Sequence, residues 1–109
     1  MKFFHKDFQK NKWFKLSLIE QMANIGSEIS RTINWKYKSK KDAQLAFYRA
    51  LELIEFTIND SKNKNRLKEI CRAKEMLIDW YLGNPLYQST DKDWQKYFLQ
   101  FNLAARINT

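Results

Sequence analysis

The stretch SLIEQMANIGSEISRTI, residues 17–33, decides the fold. Leu18, Met22, Ile25, Ile29 and Ile33 advance by threes and fours, which places five apolar side chains on one stripe of an α-helix, with Glu20, Asn24, Ser27 and Arg31 opposite. Ser17 and Glu20 at its head have capping-box spacing, a hydroxyl to accept from a free N–H and a carboxylate to reach back. Gly26 lies beside the stripe. An interior glycine costs about 1 kcal/mol relative to alanine, and the expected compensation is close approach of another helix. The helix runs out near Tyr37, giving 17–37.

Three further blocks repeat the helical period. Ser39 and Asp42 cap a second helix over 40–59, whose broad core face is Ala43, Ala46, Phe47, Ala50, Leu51, Ile54 and Ile58. Leu45 and Phe56 fall on its other side, three turns apart, and could meet a partner subunit or the folded-back N-terminal arm. A polar segment from Asn59 to Asn65 leads into a third helix, 64–82, with a core face of Leu67, Ile70, Cys71, Leu77, Ile78 and Tyr81. Gly83 and Pro85 stop it, since glycine takes the left-handed position after a helix and proline cannot continue one. Thr90 to Asp93, or Ser89 one residue earlier, caps a fourth helix over 91–107.

That last helix is apolar on two sides. Trp94, Tyr97, Phe98, Phe101 and Ala105 form one stripe, and Leu99, Leu103 and Ile107 recur at i, i+4, i+8 on the other. A monomeric bundle would leave the second stripe in water, so the expectation is a homo-oligomer whose interface uses Leu99, Leu103, Ile107, Leu45 and Phe56. Short links between amphipathic helices favour antiparallel neighbours. The expected architecture is therefore all-α: an antiparallel up-down-up-down four-helix bundle in one domain, 1–109, with residues 1–15 as an N-terminal aromatic and basic arm.

Composition supports helices over strands. Two glycines and one proline leave few tight reversals, while 44% hydrophobic and 16% aromatic residues are too many for a disordered chain. The single cysteine, Cys71, excludes an intramolecular disulfide and fits a reducing, cytoplasmic setting. No signal-peptide or transmembrane-length apolar run is present, so no membrane role is expected.

Catalytic signatures are lacking. His5 is the only histidine and has no neighbours at metal-ligand spacing, and no Walker or dinucleotide-binding glycine loop occurs. The Arg-then-His pair that an HEPN-type ribonuclease requires is also missing. Glu52, Glu55, Asp79, Glu69 and Glu75 read as solvated helix faces. No metal, cofactor or enzymatic activity is expected. Lys74 is the odd residue, since a helical wheel places it within the apolar face of the third helix, where an unpaired ammonium is costly. Its stem can pack while its head reaches a rim or a carboxylate such as Glu28 or Glu55; alternatively it is a possible anion site in a cleft.

Twenty Lys and Arg against twelve Asp and Glu give a net charge of +8, which favours polyanionic partners. Fifteen of the twenty are lysines in a chain also rich in Asn and Ile, as an AT-rich genome would encode without selection for binding. In an antiparallel bundle Lys10, Lys12 and Lys15 meet Lys62, Lys64, Arg66 and Lys68 at one end, a candidate nucleic-acid-binding pole. Trp13 and Phe14 there could stack on bases or staple onto the core. The opposite end carries Lys36, Lys38, Lys40 and Lys41, offset by Asp91 and Asp93.

Residues 16–55 resemble the four-helix-bundle family of ribosomal-RNA intervening-sequence proteins and retroelement accessory proteins. The resemblance rests on Leu18-Ile19-Glu20-Gln21 opening an Ile-rich helix, the basic turn Lys38-Ser39-Lys40-Lys41-Asp42, and an Ala-rich helix ending in Glu52 and Glu55. Arg31-Thr32-Ile33-Asn34-Trp35 stands where the family carries Asn-Ile-Ala-Glu-Gly. The resemblance implies a basic, oligomeric bundle that assists a nucleic-acid enzyme, and it supplies no catalytic residues. The leading expectation is a non-enzymatic, oligomeric helical module that contacts RNA, DNA or a nucleoprotein enzyme through its basic pole. The alternative is a protein-interaction adaptor of toxin–antitoxin-like type whose apolar second faces bind a protein partner.

Overall fold

The computed structural model describes residues 7–83 and 86–107, with side chains from residue 10 onward. All regular structure among them is helical: α1 Asp7–Trp13, α2 Leu18–Trp35, α3 Lys40–Ile58, a 3₁₀ segment Ser61–Arg66, α4 Leu67–Leu82 and α5 Asp91–Ile107. Each start has a chemical cause. Ser17 Oγ accepts from the Glu20 N–H at 3.2 Å and Glu20 Oε1 accepts from the Ser17 N–H at 3.0 Å, the full capping box. Ser39 caps α3 through the Asp42 N–H at 3.2 Å, and Thr90 with Asp93 repeats the reciprocal arrangement ahead of α5. At the far end of α4, Gly83 takes φ 75°, the left-handed turn that glycine tolerates best.

Helix α2 is central and packs against both α3 and α5, whereas α4 leans on α3. The α2–α5 approach depends on Gly26: a Cβ placed there would lie 2.7 Å from Phe98 Cβ, so the close helix contact expected at this glycine is present. Ile25, Ile29, Phe47, Ala50, Ile54, Ile70 and Leu77 fill the centre with Trp94 and Phe98. Facing two partners, α2 buries more than its apolar stripe, and Gln21, Glu28 and Thr32 are covered as well.

In the second half of the arm two turns of helix form, and Trp13 is part of the core at 8% exposure. Three expectations require correction. The third long helix begins at Leu67 instead of residue 64, because Ser61–Arg66 winds as a 3₁₀ segment capped by Asp60. Its core face is also rotated. Ile70, Ala73, Leu77 and Trp80 are buried, while Leu67 is exposed. Trp80 wins the inward position because its ring meets Phe47 and its indole N–H donates to Asp91 Oδ1 at 2.8 Å. Finally, Glu52 and Asp79 are buried rather than solvated; Asp79 accepts from the Tyr87 N–H at 3.2 Å.

Candidate interaction surfaces

The end predicted to be a basic pole is organised around a buried polar knot. Gln21, Thr57, Asp60 and Asn63 are all covered there. Gln21 Nε2 donates to Asp60 Oδ2 at 2.8 Å and to the Trp13 carbonyl at 3.0 Å. Asn63 Nδ2 donates to Gln21 Oε1 at 2.9 Å and to the Thr57 carbonyl at 3.0 Å, and the Trp13 indole N–H donates to Thr57 Oγ1 at 3.0 Å. One network thus ties the end of α1, the start of α2, the end of α3 and the 3₁₀ segment. Among the described residues no buried side-chain polar atom lacks a partner.

Two residues of the predicted nucleic-acid pole, Lys62 and Arg66, carry ion pairs here. Lys62 forms an ion pair with Asp60 and donates to the Phe14 carbonyl at 2.9 Å. Burial tends to raise the Asp60 pKa, yet the hydrogen bonds from Lys62 and Gln21 outweigh it and hold the carboxyl below its ordinary value. Arg66 pairs with Glu69 at 2.9 Å on the surface. Lys10 lies over the rings of Phe14 and Phe56, so Phe56 meets the folded-back arm, one of the two roles open to it. Lys12 lines a shallow depression of about 490 Å³ with Glu28 and Arg31, along the flank of α2. Lys15, Lys64 and Lys68 are exposed and form no ion pair among the described residues. Of the two aromatics at this end, Trp13 belongs to the core and Phe14 is half-buried.

At the opposite end Lys36 Nζ pairs with Asp91 Oδ1 at 2.9 Å and sits 4.8 Å from the centre of the Trp80 ring. Burial raises the Asp91 pKa, but the bonds from Lys36 and Trp80 prevail and lower it overall. Asp93 instead serves the Thr90 cap, and its pKa is lowered chiefly by that backbone N–H. The Lys74 ammonium is paired with Glu55, which is 48% exposed, the carboxylate partner that was one of the two readings open to it. The rotation of α4 brings Lys74 to the rim of the core, where stem packing and a surface carboxylate suffice.

The second stripe of α5 stands in solvent, with Leu99 at 51%, Leu103 at 48% and Ile107 at 81% exposure. No charged residue occurs from Tyr97 to Ala105 on α5 or from Gln21 to Ser27 on α2. Between these helices a shallow seam is lined by Ala23, Gly26, Ser27 and Ser30 on one side and Gln95, Phe98, Leu99 and Asn102 on the other. In a chain with 29% charged residues this face is distinct. Leu45, the fifth predicted interface residue, is half-buried on α3.

A groove of about 420 Å³ separates α4 from α5 and is the feature that the sequence did not indicate. Its walls come from Glu69, Arg72, Ala73 and Met76 on α4, Tyr87 to Ser89 in the connection, and Asp93, Trp94 and Tyr97 on α5. Only the rotated face of α4 opens it, and that rotation depends on contacts distant in sequence.

His5 lies outside the described residues. Among those described, no group of three His, Cys, Asp or Glu could hold a metal ion, and no helix is long and apolar enough to cross a membrane. No protein-family model matches this chain, and neither a curated protein nor a solved structure matches it.

Proposed function

We propose that this chain is a small non-enzymatic helical module that associates with further copies of itself through the outer face of α5 and, in that assembled form, contacts nucleic acid or a nucleoprotein. The carrying observation is the exposed Leu99, Leu103 and Ile107 stripe beside a charge-free seam on a molecule of net charge +8. Like-charged copies repel across most approaches, and a face without charge is where they come together at least electrostatic cost. Depletion of charge at the centre of a patch is also the compositional mark of interfaces. In this reading α2 to α5 form an antiparallel up-down-up-down bundle in the cytoplasm, with residues 1–15 as its arm. The short links and the position of α2 between α3 and α5 support that topology.

Assembly would raise polyanion contact, since each added copy contributes further unpaired lysines. Lys15, Lys64 and Lys68 remain available for it, while Lys62 and Arg66 leave the proposed set because they are paired. That same pairing favours the second reading, a protein-interaction adaptor whose α5 face binds a different protein.

Light scattering of the purified chain at micromolar concentration tests association directly. A mass that is a multiple of 13.3 kDa is expected, and Leu103→Glu should reduce it to a single chain with unchanged helicity. A 13.3 kDa species for the unaltered chain would contradict self-association. For the polyanion step, log affinity for duplex DNA should fall linearly with log salt, by about 0.9 per neutralised phosphate. Lys15, Lys64 and Lys68 changed together to Gln should flatten that slope for every sequence alike, because phosphate contacts do not read bases. Undetectable binding at about 50 mM salt would transfer the assignment to the adaptor.

A further inference from the structure

The groove between α4 and α5 is built differently from the other surfaces. Trp94 forms its floor and Tyr97 its wall, with ring centroids 5.5 Å apart and planes at 85°, so the two rings make an apolar corner. The polar edge of Trp94 is already satisfied, its indole N–H donating to Ser89 Oγ at 3.1 Å. Ala73 and Met76 face this corner from α4. A flat ring set into such a corner finds one aromatic face and one aromatic edge, the two favoured geometries for aromatic pairs. Its volume lies within the range of small-molecule clefts, roughly 300–1,000 Å³.

Charge at the rim selects the sign of the occupant. Glu69 is paired with Arg66 at 2.9 Å. Asp93 accepts the Thr90 N–H at 2.9 Å and lies within the field of Lys96. Arg72 has no ion pair or hydrogen bond among the described residues. Of the charged side chains that line the groove, Arg72 is thus the one without a bonded partner among the described residues, and its guanidinium offers a planar fork of donors suited to carboxylate, sulfonate or phosphate. Gln88, in the connection that closes one end, has φ 55°, a left-handed backbone that a glutamine rarely adopts.

We propose that this groove binds a small aromatic anion, its ring against Trp94, Tyr97 and Met76 and its charge on Arg72. The site is separate from the outer face of α5, so its success or failure is independent of self-association. Two probes test it: 8-anilinonaphthalene-1-sulfonate, which carries both features, and the neutral N-phenyl-1-naphthylamine, which lacks the anion. The sulfonate should bind saturably and shift the backbone amide resonances of Ala73, Met76, Trp94 and Tyr97. Arg72→Gln should weaken the sulfonate about fivefold or more while leaving the neutral probe within about twofold, and Arg72→Lys, which keeps the charge but loses the planar fork, should fall between the parent and Arg72→Gln. Absence of sulfonate binding, shifts confined to Leu99–Ile107, or equal loss of both probes in Arg72→Gln would each overturn the proposal.

Discussion

Helices α2 and α4 are similar in length, at 18 and 16 residues, yet they are held in opposite ways. Helix α2 packs on two sides, through Gly26 close against Phe98 of α5 and against α3, whose buried face includes the alanines Ala43, Ala46 and Ala50. Helix α4 is kept at a distance by rings. Phe47 stacks on Tyr81 at 4.0 Å and meets Trp80 edge-on at 6.3 Å, and on the other flank the groove leaves it apart from α5. Small residues give the first helix contacts that tolerate no added atom, whereas the aromatic spacer gives the second an open flank that a ligand can occupy.

The largest test of this contrast is in the polar knot that anchors α2. Asn63→Leu strands Gln21 Oε1 in the interior and removes one bond to the Thr57 carbonyl, which keeps the Asp60 N–H at 3.3 Å, and urea denaturation should report a loss of about 2–4 kcal/mol. A loss under about 1 kcal/mol would mean that water replaces Asn63 and that the knot is peripheral. Gly26→Ala comes next. Its methyl would meet Phe98 Cβ at 2.7 Å, backbone-proximal on both sides, so about 1–3 kcal/mol should be lost despite the better helix propensity of alanine. Stabilisation by this substitution would show that α2 and α5 can move apart freely.

Acid should act on both ends of the molecule. Asp60 and Asp91 have folded pKa values below the unfolded 3.8, so the stability they contribute is fully present above about pH 4 and is lost as pH falls through the folded values. Thermal unfolding from pH 7 to 2 should show this decline, with Asp91→Asn less steep than the parent. Smaller effects are expected on α4. Lys74→Met should change stability by less than about 1 kcal/mol, since the partner carboxylate of Glu55 remains half in water. Met76→Ala, on the groove wall, should cost less than a buried large-to-small change because no sealed cavity is left. Losses on α4 as large as those at Asn63 would erase the distinction between the two helices.

How legible all this was in the sequence follows the range of the interactions. The caps of α2, α3 and α5 depend on residues three apart, and Ser17, Ser39 and Thr90 signal them directly. Gly26 was informative because an interior glycine is unfavourable without a close neighbour. The knot was not legible, since Gln21 meets Asn63 across 42 residues and Asp60 across 39. For α4 two overlapping apolar stripes were compatible with helical spacing, one through Leu67 and Ile78 and the other through Ala73 and Trp80. The contacts of Trp80 with Phe47 and Asp91 decide between them, and neither contact leaves a local trace. The groove, and Arg72 within it, depend on that choice. The exposed stripe of α5 was readable because three leucine-class residues at i, i+4, i+8 opposite a filled core face have nowhere to be buried.

Native-state hydrogen exchange tests the contrast between α2 and α4 most directly, because it reports the opening free energy of each helix separately. Amides of Ile25 to Ile33 in α2 should exchange only through global unfolding, while those of Ile70 to Ile78 in α4 should exchange through a smaller opening, lower by about 1 kcal/mol or more. Equal protection of the two helices, or slower exchange in α4, would contradict the account.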